Sequence, residues 1–267
     1  MVYCWLMILK YKLKFQGGFV KMKKIEQYRN FLKANDWQKW EQLERDQAKD
    51  VPRPAKQKEY STDDQLIDLI PYKDINLGDK PIKEIIAKRR SRRKYTDEYL
   101  SKEELSYLLW ATQGVKENNN FRTVPSGGAR HPFETYLYIK RVEGIEPGIY
   151  RYLPMEHKLL VVYLDNNLDE KMNAASSNQK FVIKSAVVFI WTAIPYRTEW
   201  RYSILSHKII AQDSGHLCQN LYLASESIGA GTCGIGAYNQ EKMDEIVRVD
   251  GEEEFAIYVA PVGMIEN

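Results

Sequence analysis

Cysteine is scarce in this chain of 267 residues: Cys4, Cys218 and Cys233 are odd in number and far apart. Such a set builds no disulfide framework. No CxxC or Cys/His cluster offers a zinc site either, so a reducing, cytoplasmic setting without a bound metal is the expectation. Histidine is equally sparse, and His131, His157, His207 and His216 form no HExxH motif. No sign of charge dominates. Lysine and arginine number 39 against 36 acidic residues, a net charge of +3, which argues against a nucleic-acid coat or an acidic partner. No apolar run is long enough to span a bilayer. Val2–Leu9 is short, and Lys10, Lys12 and Lys14 follow it rather than precede it, the reverse of a signal peptide. Internal repeats and low-complexity tracts are also missing. A chain 44% hydrophobic at this length can still bury a full core.

Residues 1–21 read as an upstream extension, with Met22-Lys23-Lys24-Ile25 the more natural start. Ile25, Tyr28, Phe31, Leu32, Trp37, Trp40 and Leu43 give residues 24–48 an amphipathic helical pattern, with a break at Asn35-Asp36. Val51-Pro52-Arg53-Pro54 ends it, because proline disfavours helix at the residue before it. Residues 50–79 hold Pro52, Pro54, Pro71 and Gly78 and show no sustained period. They read as an extended connection that wraps a surface. Residues 22–79 are thus an N-terminal helical segment and linker, and 80–267 the main domain.

Within that domain a helix starts at Pro81. Ser101 and Glu104 form a capping-box pattern ahead of Leu105, Leu108, Leu109, Ala111 and Thr112, in a helix that stops near Gly114. A polar loop, Lys116–Asn120, follows. Phe133–Arg141 alternates as a strand, with Phe133, Thr135, Leu137 and Ile139 on one face. Gly148–Tyr152 and Lys158–Leu164 are further strands joined by a turn at Pro154–His157. After a helix over 167–177, Ala186–Ala193 is a continuous apolar run, hence a central strand buried on both faces. A long helix at Ser206–Ser227, a short one at Gln240–Arg248 and a strand at Phe255–Val262 complete the pattern. The class is α+β, with a mostly antiparallel central sheet flanked by helices, one of them long and central.

Three stretches carry chemistry. Ile228–Gly236 holds four glycines in nine residues directly after the long helix. A helix C-cap explains Gly229 but not Gly231, Gly234 and Gly236, which would suit close approach of something flat. No strand precedes the stretch, so it does not match the dinucleotide fingerprint. The basic run Lys88–Lys94 admits three readings: a solvated helix end, a phosphate site, or a nucleic-acid patch. Pro125-Ser126-Gly127-Gly128 is a turn that exposes backbone amides, either toward a ligand or simply on the way into the strand at Phe133. Together they suit a ligand with phosphate and a flat ring, such as flavin mononucleotide (FMN).

At these residues the chain resembles the nitroreductase family of flavoenzymes and, within it, the SagB-type dehydrogenases. Arg89-Arg90-Ser91-Arg92-Arg93-Lys94-Tyr95 is similar to the family's Arg-Arg-Ser-x-Arg-Lys-aromatic opening. Pro125-Ser126-Gly127-Gly128-Ala129-Arg130-His131-Pro132 is similar to Pro-Ser-Ala-Gly-Ala-Arg-His-Pro. Asp213-Ser214-Gly215-His216, Gln219-Asn220-Leu221 and Gly229–Gly236 resemble the branch's helix-and-glycine signature. The resemblance spans about 80–263 and implies a nitroreductase-like fold, a homodimer with FMN at its interface, and NAD(P)H as co-substrate.

It further implies that Arg89, Arg90, Ser91 and Arg93 hold the phosphate and ribityl chain, and that Pro125, Ser126, Gly127, Gly128 and Arg130 lie beside the ring. Gly231, Thr232, Cys233, Gly234, Ile235 and Gly236 would lie at the ring too, with Gly234 and its neighbours as amide donors. Cys233 is expected as a small packing residue at the ring edge.

Two departures stand out. The substrate-side Lys-Tyr of the SagB branch is Arg201-Tyr202 here, and an arginine that stays protonated is a poor base. Tyr202 is then the expected proton donor, with Arg201 orienting an anionic group. The C-terminal Gly263–Asn267 offers no basic residue to a phosphate, which leaves Arg89, Arg90 and Arg93 or a lysine elsewhere. The expected activity is hydride transfer between NAD(P)H and a small electrophile, or dehydrogenation of a small substrate. The alternatives are azoline oxidation on a modified peptide, and a non-catalytic flavin- or nucleic-acid-binding protein. Small-molecule or peptide substrates, no nucleic acid and no membrane are the partner expectations.

Overall fold

The structure is a computed structural model that describes residues 24–116 and 121–266; the 1–21 extension and the loop after Lys116 lie outside the described residues. Two compact units divide at Glu44/Arg45. In the first, residues 24–31 are helical (α1) and Asn35–Gln42 is a 3-10 helix whose Trp37 and Trp40 rings stack at 5.6 Å. The helical pattern does break, but ahead of the Asn35-Asp36 that the sequence predicts: α1 ends at residue 31 and the 3-10 helix begins at Asn35.

The second unit is built on seven strands: β1 (Leu66–Asp68), β2 (Phe133–Ile139), β3 (Gly148–Leu153), β4 (Lys158–Leu164), β5 (Val187–Ala193), β6 (Ala230–Thr232) and β7 (Phe255–Met264). They form one sheet in the order β1-β4-β3-β2-β5-β7-β6, with every neighbouring pair antiparallel. The helices are α2 (Ile82–Lys88), α3 (Lys102–Gln113), α4 (Asp169–Ala175), α5 (Tyr196–Tyr202), α6 (Ser206–Ser227) and α7 (Gln240–Val247). Among the described residues no helix is long and apolar enough to cross a membrane.

The α+β class holds, but alternation in β2 understates its burial. One face, with Phe133, Leu137 and Ile139, packs under Leu105, Leu108 and Leu109 of α3 and Leu217 and Leu221 of α6. The other face, with Tyr136 and Tyr138, packs against Met172 of α4 and Met243 and Ile246 of α7. Both sides of the sheet are therefore covered, and β2, β3 and β5 are buried along their whole length. Two short strands went unread in the sequence. β1 and β6 are three residues each, too short for a period to register.

The Ser101 capping box forms as its sequence predicts. Ser101 Oγ accepts from Glu104 N–H at 3.1 Å, and Glu104 Oε2 accepts from Ser101 N–H at 2.7 Å. Ser101→Ala is expected to cost about 1 kcal/mol in a urea titration, with an unchanged m-value.

Residues 45–79 cross the second unit as a strap, held by side chains that bond its backbone. Trp200 Nε1 donates to Val51 O at 2.8 Å, Arg151 to Glu59 O at 2.9 Å, and Arg122 to Lys56 O. Glu134 accepts from Lys58 N–H at 2.8 Å, and Ser106 Oγ from Ile70 N–H at 3.0 Å. Outside β1, which pairs with β4, the strap has no ladder and satisfies these backbone groups through the core's side chains.

Candidate active site

The basic run does not continue the helix. α2 ends at Lys88, and Arg89 onward is extended and lies beside β6. Ser91 pairs with Thr232 in a parallel bridge, and Arg92 N–H donates to Thr232 O at 2.9 Å. Tyr95 Oη donates to Arg92 O at 2.8 Å and fixes the curve of the segment. Burial pushes the Tyr95 hydroxyl well above its usual range, so it remains a donor. Two of the three chemical stretches thus meet: the basic run lies against the glycine stretch through the Ser91–Thr232 bridge.

Tyr222 of α6 joins them. Its hydroxyl lies 3.1 Å from Ser91 Oγ and accepts from Gly234 N–H at 2.8 Å, and Arg89 sits over its ring at 5.2 Å. Tyr222 directly follows the Gln219-Asn220-Leu221 motif and lies outside it. The usable signal is its i+4 spacing from Cys218, which puts both on the α6 face toward the glycines.

The glycines divide into two kinds. A Cβ on Gly231 would lie 2.6 Å from Arg92 Cβ, and one on Gly234 would lie 2.5 Å from Tyr258 Oη and 2.9 Å from Cys218 Sγ. The chain's own atoms demand these two. Gly229, at φ +80°, is the turn after α6, as the helix-cap reading holds, and Gly236 has open space. The expectation of a free Gly234 amide needs correction, since Tyr222 takes it. Ile235 N–H is likewise taken by Val259 O at 2.7 Å. Among the described residues, the amides of Cys233 and Gly236 are the donors of Cys233–Gly236 that remain.

Beside this junction lies a cavity of about 680 Å³ lined by Arg90, Ser91, Arg92, Arg93, Lys94, Tyr95 and Lys184, among others. Lys184, just ahead of β5, lines this cavity although no motif in the sequence marks it. Arg92 Nε and Thr232 Oγ1 are buried without a hydrogen-bond partner at the same junction. The interior behind is apolar and protonated, with the Cys218 thiol pushed up to about 12 by burial.

The Pro-Ser-Gly-Gly turn lies at the other end of α6. Asp213 accepts from Gly127 N–H at 3.0 Å, and a Cβ on Gly127 would lie 2.3 Å from Ile209 Cγ2. Asp213 and Tyr222 are nine residues apart on α6, about 14 Å along its axis. Ser126 Oγ accepts from His131 N–H at 2.9 Å and Ser126 also faces the Asp213 carboxylate, so it serves the turn itself. Pro125 is exposed. Arg130 points inward instead, with Nε donating to Arg197 O at 2.6 Å and its guanidinium 4.7 Å over the Trp200 ring.

The expected substrate-side pair does meet this turn. A Cβ on Gly128, at φ +58°, would lie 2.6 Å from Tyr202 Oη and 3.1 Å from Arg201 Nε. Ala129 and His131 also take left-handed φ values of 50° and 49°, unusual for residues with a side chain.

His131 is pushed down to about 3, by burial first and then by Arg122, Lys56, Arg53 and Arg130. The folded state therefore refuses a proton that the unfolded chain accepts below about pH 6.5. Stability contributed by neutral His131 is complete above that pH and is lost as the pH falls toward 3. His131→Asn should flatten the pH dependence by about 2 kcal/mol between pH 7 and 5, read by urea unfolding at both values.

Comparison with known proteins places the chain in a family. The sequence model described as the nitroreductase family matches residues 86–264. A Methanocaldococcus jannaschii protein named as a nitroreductase, MJ1384, is 34% identical over 182 residues, covering 68% of this chain and 90% of that protein. The trifolitoxin-processing protein TfxB of Rhizobium leguminosarum bv. trifolii is 32% identical over 116 residues, but that match covers 40% of this chain and 30% of TfxB. A crystal structure from Ralstonia eutropha JMP134, described as a nitroreductase, superposes with a TM-score of 0.65 at 25% identity, covering 81% of this chain and 95% of that one. By the span of the family match and by its likeness to MJ1384, the chain belongs to the nitroreductase family.

Proposed function

We propose that this nitroreductase-family oxidoreductase uses FMN and NAD(P)H to reduce, or in reverse to dehydrogenate, a small substrate. The observation that carries this reading is the docking of the basic run on the glycine stretch through Ser91, Thr232 and Tyr222. It gathers phosphate-type donors and close-approach backbone at one place. The residues fit such a group, since Arg92 Nε and Thr232 Oγ1 are buried without partners and Gly236 has open space. Arg90, Arg93, Lys94 and Lys184 would hold the phosphate, with Arg89 and Ser91 along the ribityl chain. The amides of Cys233 and Gly236 would serve the ring edge. Bound FMN supplies hydride exchange at its N5. Tyr202 is the proton donor to substrate, and Arg201 holds the substrate in place beside it.

The reading also calls for a second copy of the chain. The Pro-Ser-Gly-Gly turn and the basic run engage α6 about 14 Å apart, so a partner's turn would bring the ring contacts that one chain keeps at a distance. Gly215, inside α6, has no atom within 4 Å of a Cβ built on it. An exposed mid-helix glycine costs about 1 kcal/mol against alanine, a cost that close packing of a second helix would offset. The basic run is read as serving a phosphate rather than a nucleic acid, because a net charge of +3 over the chain argues against a nucleic-acid footprint.

The purified chain is expected to be yellow or to take up added FMN, to lose its colour with NADPH or NADH, and to elute at twice its 31.3 kDa chain mass. A colourless protein that ignores FMN would sink the proposal. A second reading, azoline oxidation in peptide modification, is favoured by the likeness to TfxB. Reduction of the bound flavin by a thiazoline peptide, and not by NAD(P)H, would select it. Arg201 in place of lysine weighs against it, because guanidinium is a poor base.

A further inference from the structure

We propose that Arg53, Arg130 and Arg201 form a receptor for an oxyanion, a carboxylate or phosphate group, carried by the substrate. The inference rests on the reading of Tyr202 and Arg201 as substrate-side residues, and it adds the strap to that site. Three consecutive turn residues organise the three guanidinium groups. Gly128 packs on Arg201, with its would-be Cβ 3.0 Å from Arg201 Cδ. Ala129 O accepts from Arg53 Nη2 at 3.0 Å, and residue 130 is itself the third arginine. Trp200 fastens the arrangement, since its indole lies under Arg130 at 4.7 Å and its Nε1 bonds Val51 O, two residues before Arg53.

The cluster lacks an anion. Among the described residues, none of these three arginines has an ion pair with a carboxylate. The carboxylates nearby are engaged elsewhere: Glu134 with Arg197 at 2.6 Å, Glu199 with His207 at 2.8 Å, and Asp213 with the Gly127 amide. Arg130 Nη2 and Arg201 Nε are buried without a hydrogen-bond partner. Like charges held this close repel, and a bound oxyanion would both neutralise them and satisfy the free N–H groups. Guanidinium forks match two oxygens of a carboxylate or phosphate bidentately. Arg53 is exposed and Arg201 only half-buried, so the cluster opens to solvent on one side. Tyr202 Oη contacts the same Gly128, so an anion held here leaves the rest of its molecule beside the phenol.

This gives the lysine-to-arginine departure a physical sense: at 201 the chain gives up a possible base and gains a permanent anion holder. It also gives Arg53, in a linker without periodicity, a role in choosing substrates.

The test is calorimetric titration of the full chain with benzoate, phenyl phosphate and benzamide. Benzoate or phenyl phosphate is expected to bind and benzamide not; the tighter of the two anions assigns carboxylate or phosphate. Arg53→Gln and Arg201→Gln should each weaken that binding about tenfold or more, with Arg53→Lys recovering part of it. Circular dichroism of each variant checks that it is folded. Equal binding of benzamide, no binding of either anion, or full affinity in a folded Arg53→Gln variant would overturn the inference. FMN uptake is measured on the same preparation. Anion binding without FMN uptake would defeat the flavin reading alone, and the converse would defeat the receptor alone.

Discussion

Glu134→Ala is expected to destabilise the second unit by about 3–5 kcal/mol, the largest single effect on stability foreseen here. Glu134 and Arg197 are 2% and 3% exposed, joined at 2.6 Å. The same carboxylate accepts from Lys58 N–H and so anchors the strap to β2. Alanine would leave Arg197 buried and charged, with Arg122 among the cations around it. A buried charge without a partner is far costlier than a missing pair, so the double variant Glu134→Leu/Arg197→Leu should recover most of the loss. Chemical unfolding of the two variants decides the matter. Equal instability of single and double variants would assign the effect to the strap anchor rather than to the stranded charge.

Gly231→Val should cost both fold and flavin. Its Cβ would lie 2.6 Å from Arg92 Cβ and 2.7 Å from Ile265 Cγ2, so the basic segment must lift from β6. Overpacking of this kind costs about 1–3 kcal/mol. The displaced Ser91 and Arg92 take phosphate-side donors with them, which should lower FMN affinity on the order of 100-fold. Gly236→Val separates the two consequences. Nothing lies within 4 Å of its Cβ, so stability should stay within about 0.5 kcal/mol of the parent. FMN affinity should nevertheless fall on the same order, because the space it fills is the proposed place of the ring. Full FMN affinity in Gly236→Val would move the ring elsewhere, and full affinity in Gly231→Val would detach the basic run from the site.

Strands β2–β5 and β7 and helices α3, α4, α6 and α7 could be read from the chain alone, because each is long enough for its period or carries its own cap. Ser101 with Glu104 is the clearest case, a local bond pair that needs no tertiary partner. β1 and β6 escaped because three residues show no period and exist only by pairing with β4 and β7. The second face of β2 escaped because Tyr136 and Glu134 are polar enough to read as exposed. The site was partly legible through its three motifs, which are runs of chemistry-bearing types. Tyr222 and Lys184 were not legible, since each belongs to the site by position alone.

The sequence by itself determined the α+β class, the order of elements and the three stretches, because local propensity, spacing and charge are written in consecutive residues. Tertiary structure decided which of them meet. Pairing of Ser91 with Thr232 joins the basic run to the glycines, while α6 holds the Pro-Ser-Gly-Gly turn with Arg201 at its other end. It also decided why each glycine is there: Gly231 and Gly234 answer to the chain's own atoms, and Gly236 faces open space. Contacts between residues more than a hundred positions apart depend on packing, which no local pattern encodes.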